Sequence, residues 1–370
     1  MNYQWFVSNK TQFYEIPEPV LLESGHCLRN VQVGYRTWGR LNPDGDNAVI
    51  ICHALTGWAD ADHWWEPLFG AGKALDPEKD FIVCSNVLGS CYGTTGPISV
   101  NPATGCPYGP DFPLITIRDM VRVQGLLVQN LGIKKLKMVI GGSLGGMQVL
   151  EWAVLYPELV QSIAVIAASG RHSAWCIGLS EAQRQAIYAD PNWRNGYYTI
   201  DRPPAAGLAA ARMMAMSTYR SWSSFEKKFG RELTDDGKFS IIHYMQHQGA
   251  KLVNRFDTNS YITLTKAMDT HDLGRGRGSY EAVLQSIKIP TLIVSINSDV
   301  LYPPKEQQEL ADLIPNASFV WLHSPHGHDA FLIDMPALND MVVNFQELCL
   351  QYQQKLNAMQ LINQVLRERF

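Results

Sequence analysis

The stretch Lys137-Met138-Val139-Ile140-Gly141-Gly142-Ser143-Leu144-Gly145-Gly146-Met147-Gln148 runs from an apolar, β-branched segment through a glycine-rich turn into a helical pattern. Gly141-Gly142-Ser143-Leu144-Gly145 fits G-x-S-x-G. The strand before it and the helix after it supply the context of a nucleophile elbow. Such a turn is tight and its serine backbone strained, so the flanking positions favour glycine. It lifts Ser143 Oγ clear of the sheet at a helix N-terminus, where backbone N–H groups and the helix dipole favour a developing anion.

Outward from the elbow, short continuous apolar runs recur at 48–52, 81–85, 137–140, 163–167, 291–296 and 318–322. Runs of this kind suit a parallel sheet covered on both faces. Ile117–Leu131 carries an apolar stripe at helical spacing and stops at Gly132; Gly146–Tyr156 reads as a second helix, ended before Pro157. The alternation predicts an α/β fold with right-handed crossovers. It breaks between about Gly170 and Ser286, a stretch rich in Ala, Met, Arg, Gln and Trp. The expected organisation is therefore a core of residues 1–169 and 287–370 carrying a helical lid insertion at 170–286. Residues 351–370 are expected to form an amphipathic helix packed on the core or on a partner.

Composition narrows the function. The chain has 370 residues, 46% of them hydrophobic and 18% charged, with a net charge of -4. That size supports a large core, the composition is not that of a disordered chain, and no global positive field attracts nucleic acid or an anionic membrane. Seven cysteines without a C-x-x-C spacing argue against a disulfide framework and a zinc ribbon. Met1–Lys10 lacks the basic and apolar pattern of a signal peptide, and no apolar run reaches a membrane-spanning length, so the expected location is cytoplasmic.

A serine hydroxyl needs a base. In an elbow fold the acid and the histidine follow the serine in the chain. Asp299 comes directly after the run 291–296, at the sheet edge where such folds place their sites. His323, His326 and His328 are the histidines beyond it, and spacing does not choose between His326 and His328. A metal reading of His326-Gly327-His328 lacks a third ligand at regular spacing. Two N–H donors are needed for an oxyanion: Leu144, directly after the serine, and Leu55, in the His53-Ala54-Leu55-Thr56-Gly57 loop after the run 48–52. His53 itself reads as structural. The whole is an α/β-hydrolase pattern, which serves many reactions and does not name one.

Finer blocks narrow it. Cys52-His53-Ala54-Leu55-Thr56-Gly57, Asn86 to Pro97 (NVLGSCYGTTGP), Phe112 to Asp119 (FPLITIRD), Gly141 to Gln148 (GGSLGGMQ), Ala211-Arg212-Met213-Met214-Ala215 with Thr218-Tyr219-Arg220-Ser221, and Gly327-His328-Asp329-Ala330-Phe331-Leu332 occur in order. Together they resemble the homoserine O-acetyltransferase family over nearly the whole chain. Leu144 stands where that family commonly has methionine, and Ser90 where it often has glycine. The resemblance implies that the catalytic histidine is His328, and that Arg212 and Asp329 bind homoserine. It implies acetyl-CoA as co-substrate with no tightly bound cofactor and no metal, L-homoserine as acceptor, and a homodimer.

Elementary chemistry fits these roles. Arginine offers a planar fork for a carboxylate. Arg212 and Tyr219 lie seven residues apart on one helix face, where the tyrosine hydroxyl can add a hydrogen bond. Asp329, beside His328, can hold an ammonium near the base. The expected reaction is ping-pong acetyl transfer through an acyl-Ser143. The same triad would also serve succinyl-CoA as donor, L-serine as acceptor, or water in an esterase. Arg275-Gly276-Arg277-Gly278 reads as a solvated loop more than a coenzyme A phosphate site. His63-Trp64-Trp65 and Met213, Met214 and Met216 read as packing residues.

Overall fold

The computed structural model describes residues 7–369; along the last helix, side chains are described through Gln351 and at Gln354. Residues 1–6 of the N-terminal reading therefore lie outside the described residues, as does the side-chain packing expected of most of 351–370.

The strands are β1 (Gln12–Glu15), β2 (Val20–Leu21), β3 (Cys27–Leu28), β4 (Gln32–Trp38), β5 (Ala48–Cys52), β6 (Phe81–Ser85), β7 (Leu136–Gly142), β8 (Ile163–Ile166), β9 (Thr291–Ile296) and β10 (Ala317–Leu322). Eight of them form one sheet in the order β1-β4-β6-β5-β7-β8-β9-β10, and β2 pairs with β3 as a separate hairpin. From β6 to β10 every neighbouring pair is parallel; β1–β4 and β4–β6 are antiparallel. β5 and β9 are buried along their whole length, as the continuously apolar runs require. The antiparallel N-terminal strands escaped the sequence reading. β4 carries polar Gln32, Arg36 and Thr37, and Arg36 is buried only because Asp60 at 2.5 Å and Asp62 at 3.3 Å neutralise it.

The helices are α1 (Ala61–Trp64), α2 (Ile117–Asn130), α3 (Leu144–Leu155), α4 (Ala174–Tyr188), α5 (Ala205–Tyr219), α6 (Trp222–Phe229), α7 (Ser240–Val253), α8 (Thr258–Asp269), α9 (Tyr280–Ser286), α10 (Pro304–Leu313) and α11 (Met335–Arg369). Thr116 caps α2 reciprocally with Asp119, so the chain enters this helix at a defined angle. α3 is buried from Leu144 to Ala153, packed between the sheet and α2, and its mostly apolar sequence, with Gln148 and Glu151 both partnered, matches that position.

Helices α4 to α8 form the stretch between β8 and β9, with α5 packed on both α4 and α7. The ends of this stretch meet in a narrow neck. His172 N–H donates to His271 O at 2.8 Å, and Leu273 N–H to Gly170 O at 3.0 Å. α9 follows the neck and packs against α10. No described helix is long and apolar enough to cross a membrane.

Candidate active site

The elbow is built by close approach. A Cβ on Gly145 would stand 2.1 Å from Cys52 O, and one on Gly146 2.5 Å from Ala168 Cβ, so the first turn of α3 seats directly against β5 and the end of β8 only with glycine there. Ser143 itself takes φ 59°, a conformation that costs a non-glycine residue about 1–3 kcal/mol and persists because its surroundings over-determine it. Its N–H is held by Ile166 O at 3.0 Å. A buried polar network sits beneath the turn. Gln148 donates to His53 O and Leu144 O, both at 3.2 Å, and accepts from Gln124, whose own oxygen accepts from Trp152 Nε1 at 2.8 Å. Sequence reading missed this network; the signal was two glutamines, Gln124 and Gln148, on the buried faces of α2 and α3.

Asp299 follows β9 by three residues and is 4% exposed. Its Oδ1 accepts from the N–H groups of Leu301 at 2.8 Å and Tyr302 at 3.0 Å, which leaves Oδ2 for His328 Nδ1 at 2.7 Å. The structure thus separates the two histidines that spacing left open. His328 faces Asp299, whereas His326 Nδ1 lies 3.3 Å from both Arg220 Nη2 and Ser224 Oγ, on the insertion. His323 stacks on exposed Trp321, away from the acid.

The loop carrying His328 is fixed from both sides. Asn297 Oδ1 accepts from Ser324 N–H at 2.8 Å, and Ser298 Oγ donates to Ser324 O and accepts from Gly327 N–H at 2.9 Å. On the other side Gly327 takes φ +71°, and a Cβ there would stand 2.6 Å from Ser221 N, so this glycine lets the loop lie against the start of α6. Asn297 and Ser298 are contributors that the sequence reading passed over, although they precede Asp299 directly.

Burial of the His328 imidazole pulls its pKa down, but the Asp299 carboxylate, through charge and hydrogen bond, and Asp329 outweigh it; the net shift is upward from the usual 6.5. Tyr302, Phe331 and Tyr219 surround the ring at centroid distances of 5.4, 5.5 and 5.8 Å.

Leu144 follows Ser143 directly, and Leu55 lies in the loop after β5, whose last residue, Cys52, seats against Gly145. Among the described residues, the backbone N–H of neither donates a hydrogen bond to a protein group. His53 is buried, with Nδ1 at 2.8 Å from Ala54 O and Nε2 accepting from Val87 N–H at 3.1 Å. Burial, only partly offset by the bond to Ala54, pushes its pKa down to about 4 and keeps it neutral.

Arg212 projects from α5, half-buried, with its guanidinium carbon 5.1 Å from the centre of the Tyr219 ring. Among the described residues it has no ion pair and no hydrogen bond. Asp329 stands close enough to feel Arg212, His328 and Arg220; burial outweighs them and raises its pKa above the carboxylate norm. A cation and a carboxylate therefore sit near each other and near His328 without pairing. Tyr219 contributes its ring face to Arg212.

The other stretches singled out from sequence resolve as follows. Arg275 pairs with Glu23 and Arg277 with Glu151, each at 2.7 Å, tying the end of the insertion to the core. Trp65 is fully buried, with Nε1 donating to Phe331 O at 3.1 Å. Met216 is core, but Met213 is half-buried and Met214 is 42% exposed, so the methionine cluster does not pack as a unit; these side chains project in different directions around α5.

The family model for the alpha/beta hydrolase fold matches residues 47–334. Homoserine O-acetyltransferase of Trichormus variabilis is 66% identical over 348 residues, 94% of this chain and 97% of that protein. Among solved structures, homoserine O-acetyltransferase from Bacillus anthracis superposes with a TM-score of 0.85 at 28% identity, covering 91% of this chain and 97% of that one. Esterase E22 superposes with a TM-score of 0.84 at 30% identity, covering 91% and 99%.

Proposed function

This chain belongs to the homoserine O-acetyltransferase family of the alpha/beta hydrolases, and we propose that it transfers the acetyl group of acetyl-CoA to the hydroxyl of L-homoserine by a ping-pong route. His328, held by Asp299, takes the Ser143 proton. Ser143 Oγ attacks the thioester carbonyl, and the N–H groups of Leu55 and Leu144 receive the oxyanion. The C–S bond breaks, His328 protonates the thiolate, and coenzyme A leaves. L-Homoserine then enters, His328 takes its hydroxyl proton, and its oxygen attacks the acetyl-Ser143 carbonyl. Ser143 recovers its proton from His328 as O-acetyl-L-homoserine departs.

The observation that carries the acceptor assignment is the unpaired Arg212 beside the unpaired Asp329. A half-buried guanidinium without an anion, set near a carboxylate without a cation, is a template for the carboxylate and ammonium of an amino acid. The hydroxyl of homoserine would then lie toward His328. The likeness to an esterase keeps water as the second reading; that reaction leaves Arg212 and Asp329 without a task. A homodimer in the cytoplasm completes the proposal.

The test is thiol release from acetyl-CoA with and without L-homoserine, with succinyl-CoA and L-serine as comparators. Release that requires L-homoserine and is fastest with acetyl-CoA supports the proposal. Release indifferent to any alcohol makes the chain a hydrolase, and preference for succinyl-CoA or L-serine moves the error to the pocket around Arg212 and Leu55.

A further inference from the structure

The loop that carries Leu55 is a turn closed by Gly57 N–H to Ala54 O at 2.8 Å. Ala54 O also lies 2.8 Å from His53 Nδ1. His53 Nε2 accepts from Val87 N–H, which leaves the ring proton on Nδ1 to donate to that carbonyl. Two donors from the core thus fix the Ala54–Leu55 peptide, whose opposite edge is the Leu55 N–H.

The other half of the turn is held from the insertion. Arg255, two residues beyond α7, donates from Nη1 to Thr56 O at 2.7 Å and from Nη2 to Thr56 Oγ1 at 3.2 Å. Nη1 also donates to Tyr92 Oη at 2.7 Å, and the Tyr92 hydroxyl donates back to Arg255 O at 2.8 Å. The guanidinium carbon lies 5.4 Å from the centre of the Trp58 ring. Among the described residues no carboxylate pairs with it. Arg255 is therefore a half-buried cation whose fork grips both the carbonyl and the hydroxyl of Thr56, the residue after Leu55.

We infer that Arg255 is a positioning residue for the oxyanion hole. It fixes the Thr56 side of the turn, as His53 fixes the Ala54 side, so that Leu55 N–H keeps facing the oxygen that becomes negative when Ser143 attacks. It also makes this geometry conditional on the insertion being seated. The inference rests on the acyl-Ser143 reading but not on which alcohol accepts the acyl group. The physical warrant is preorganisation: a donor acts on the transition state only if it is already aimed, and a charge-assisted bond to the Thr56 carbonyl, with the second prong on the Thr56 hydroxyl, holds that residue more firmly than a neutral bond does. Lysine supplies the charge but not the fork.

The test compares wild type, Arg255→Ala, Arg255→Lys and Thr56→Val by the acylation burst with p-nitrophenyl acetate, which needs neither coenzyme A nor homoserine. Inactivation by a serine-directed phosphonate, KM for L-homoserine, and thermal midpoint are measured alongside. Removing one oxyanion donor costs about 10²–10³-fold in other acyl-transfer sites, so loss of aim through Arg255→Ala is expected to slow the burst by about 10–10²-fold. Phosphonate inactivation should fall by a similar factor, KM for L-homoserine should stay within about threefold, Arg255→Lys should recover only part, and added methylguanidine should restore Arg255→Ala.

A burst unchanged in a folded Arg255→Ala variant overturns the inference. So does a raised KM with an unchanged burst, which would make Arg255 a substrate-binding group. If Arg255→Ala does not fold, Arg255→Lys, which keeps the charge and loses the fork, decides: a burst at the wild-type rate in it overturns the inference, and a slowed burst supports it, with Thr56→Val reporting the hydroxyl prong alone. A wild-type enzyme without a burst overturns the acyl-serine reading and this inference with it. A wild-type burst without homoserine-dependent turnover overturns only the acceptor.

Discussion

The core and the insertion meet at one site, and they hold their polar groups differently. On the core side the groups are locked. Asp299 is bound by two N–H groups and His328, and the His328 loop is tied through Asn297 and Ser298. On the insertion side Arg212 rests on a ring face without a hydrogen bond, and opposite it Asp329, a core residue beside His328, is the one core group of the site left unpaired to meet it. Arg255 is the exception, an insertion residue locked onto a core loop. The contrast teaches a division of labour. Groups that move protons and stabilise charge need fixed geometry, whereas groups that choose a substrate need free valences.

The division breaks most sharply at Ser143. Ser143→Ala should abolish acetyl-CoA-dependent thiol release, a loss of about 10⁶-fold where a serine nucleophile is removed from a triad; retained turnover in the thiol assay would refute the core's role. Asp299→Asn comes next. Oδ1 stays pinned by Leu301 and Tyr302, so the new amide NH₂ faces His328 Nδ1 and forces the proton onto Nε2, the wrong tautomer for a base. Steady-state kcat should fall by about 10⁴-fold, the size seen for a triad aspartate elsewhere, with the fold intact by circular dichroism.

On the insertion side, Arg212→Ala should raise KM for L-homoserine by about 10–10²-fold, the worth of a charge-assisted pair. The p-nitrophenyl acetate burst should be spared. An equal loss in both assays would erase the distinction between the two regions.

The smallest effect is on pH. In the proposed route the neutral His328 imidazole takes the proton, and its pKa is raised, so kcat/KM should fall as pH drops through a value above 6.5, by about tenfold per pH unit below it. Asp329→Asn removes one of the charges that raise it, and the acid limb in burst kinetics should move to lower pH.

Much of the core was legible because its constraints are local. The elbow needs glycines at fixed positions, and parallel strands buried on both faces read as continuous apolar runs. The N-terminal strands were not legible, since β4 mixes polar residues whose burial depends on Asp60 and Asp62, more than twenty residues away. Asp299 follows from chain order; spacing left His326 and His328 open and resemblance favoured His328, and they part physically because His328 Nδ1 meets Asp299 whereas His326 turns to Arg220 and Ser224. Arg212 could be found by resemblance; its lack of a partner could not, because that depends on α5 and the His328 loop packing together. Arg255 left no sequence signal at all, since its partner Thr56 is distant in the chain and both residue types are ordinary in loops.

The most direct measurement is intact-protein mass spectrometry of wild type and Arg212→Ala after mixing with acetyl-CoA, then with L-homoserine. Both proteins should gain one acetyl group, mapped by peptide digestion to Ser143, and L-homoserine should discharge it rapidly from wild type but slowly from Arg212→Ala. A variant that fails to acetylate, or that discharges as fast as wild type, would contradict the separation of chemistry from substrate choice.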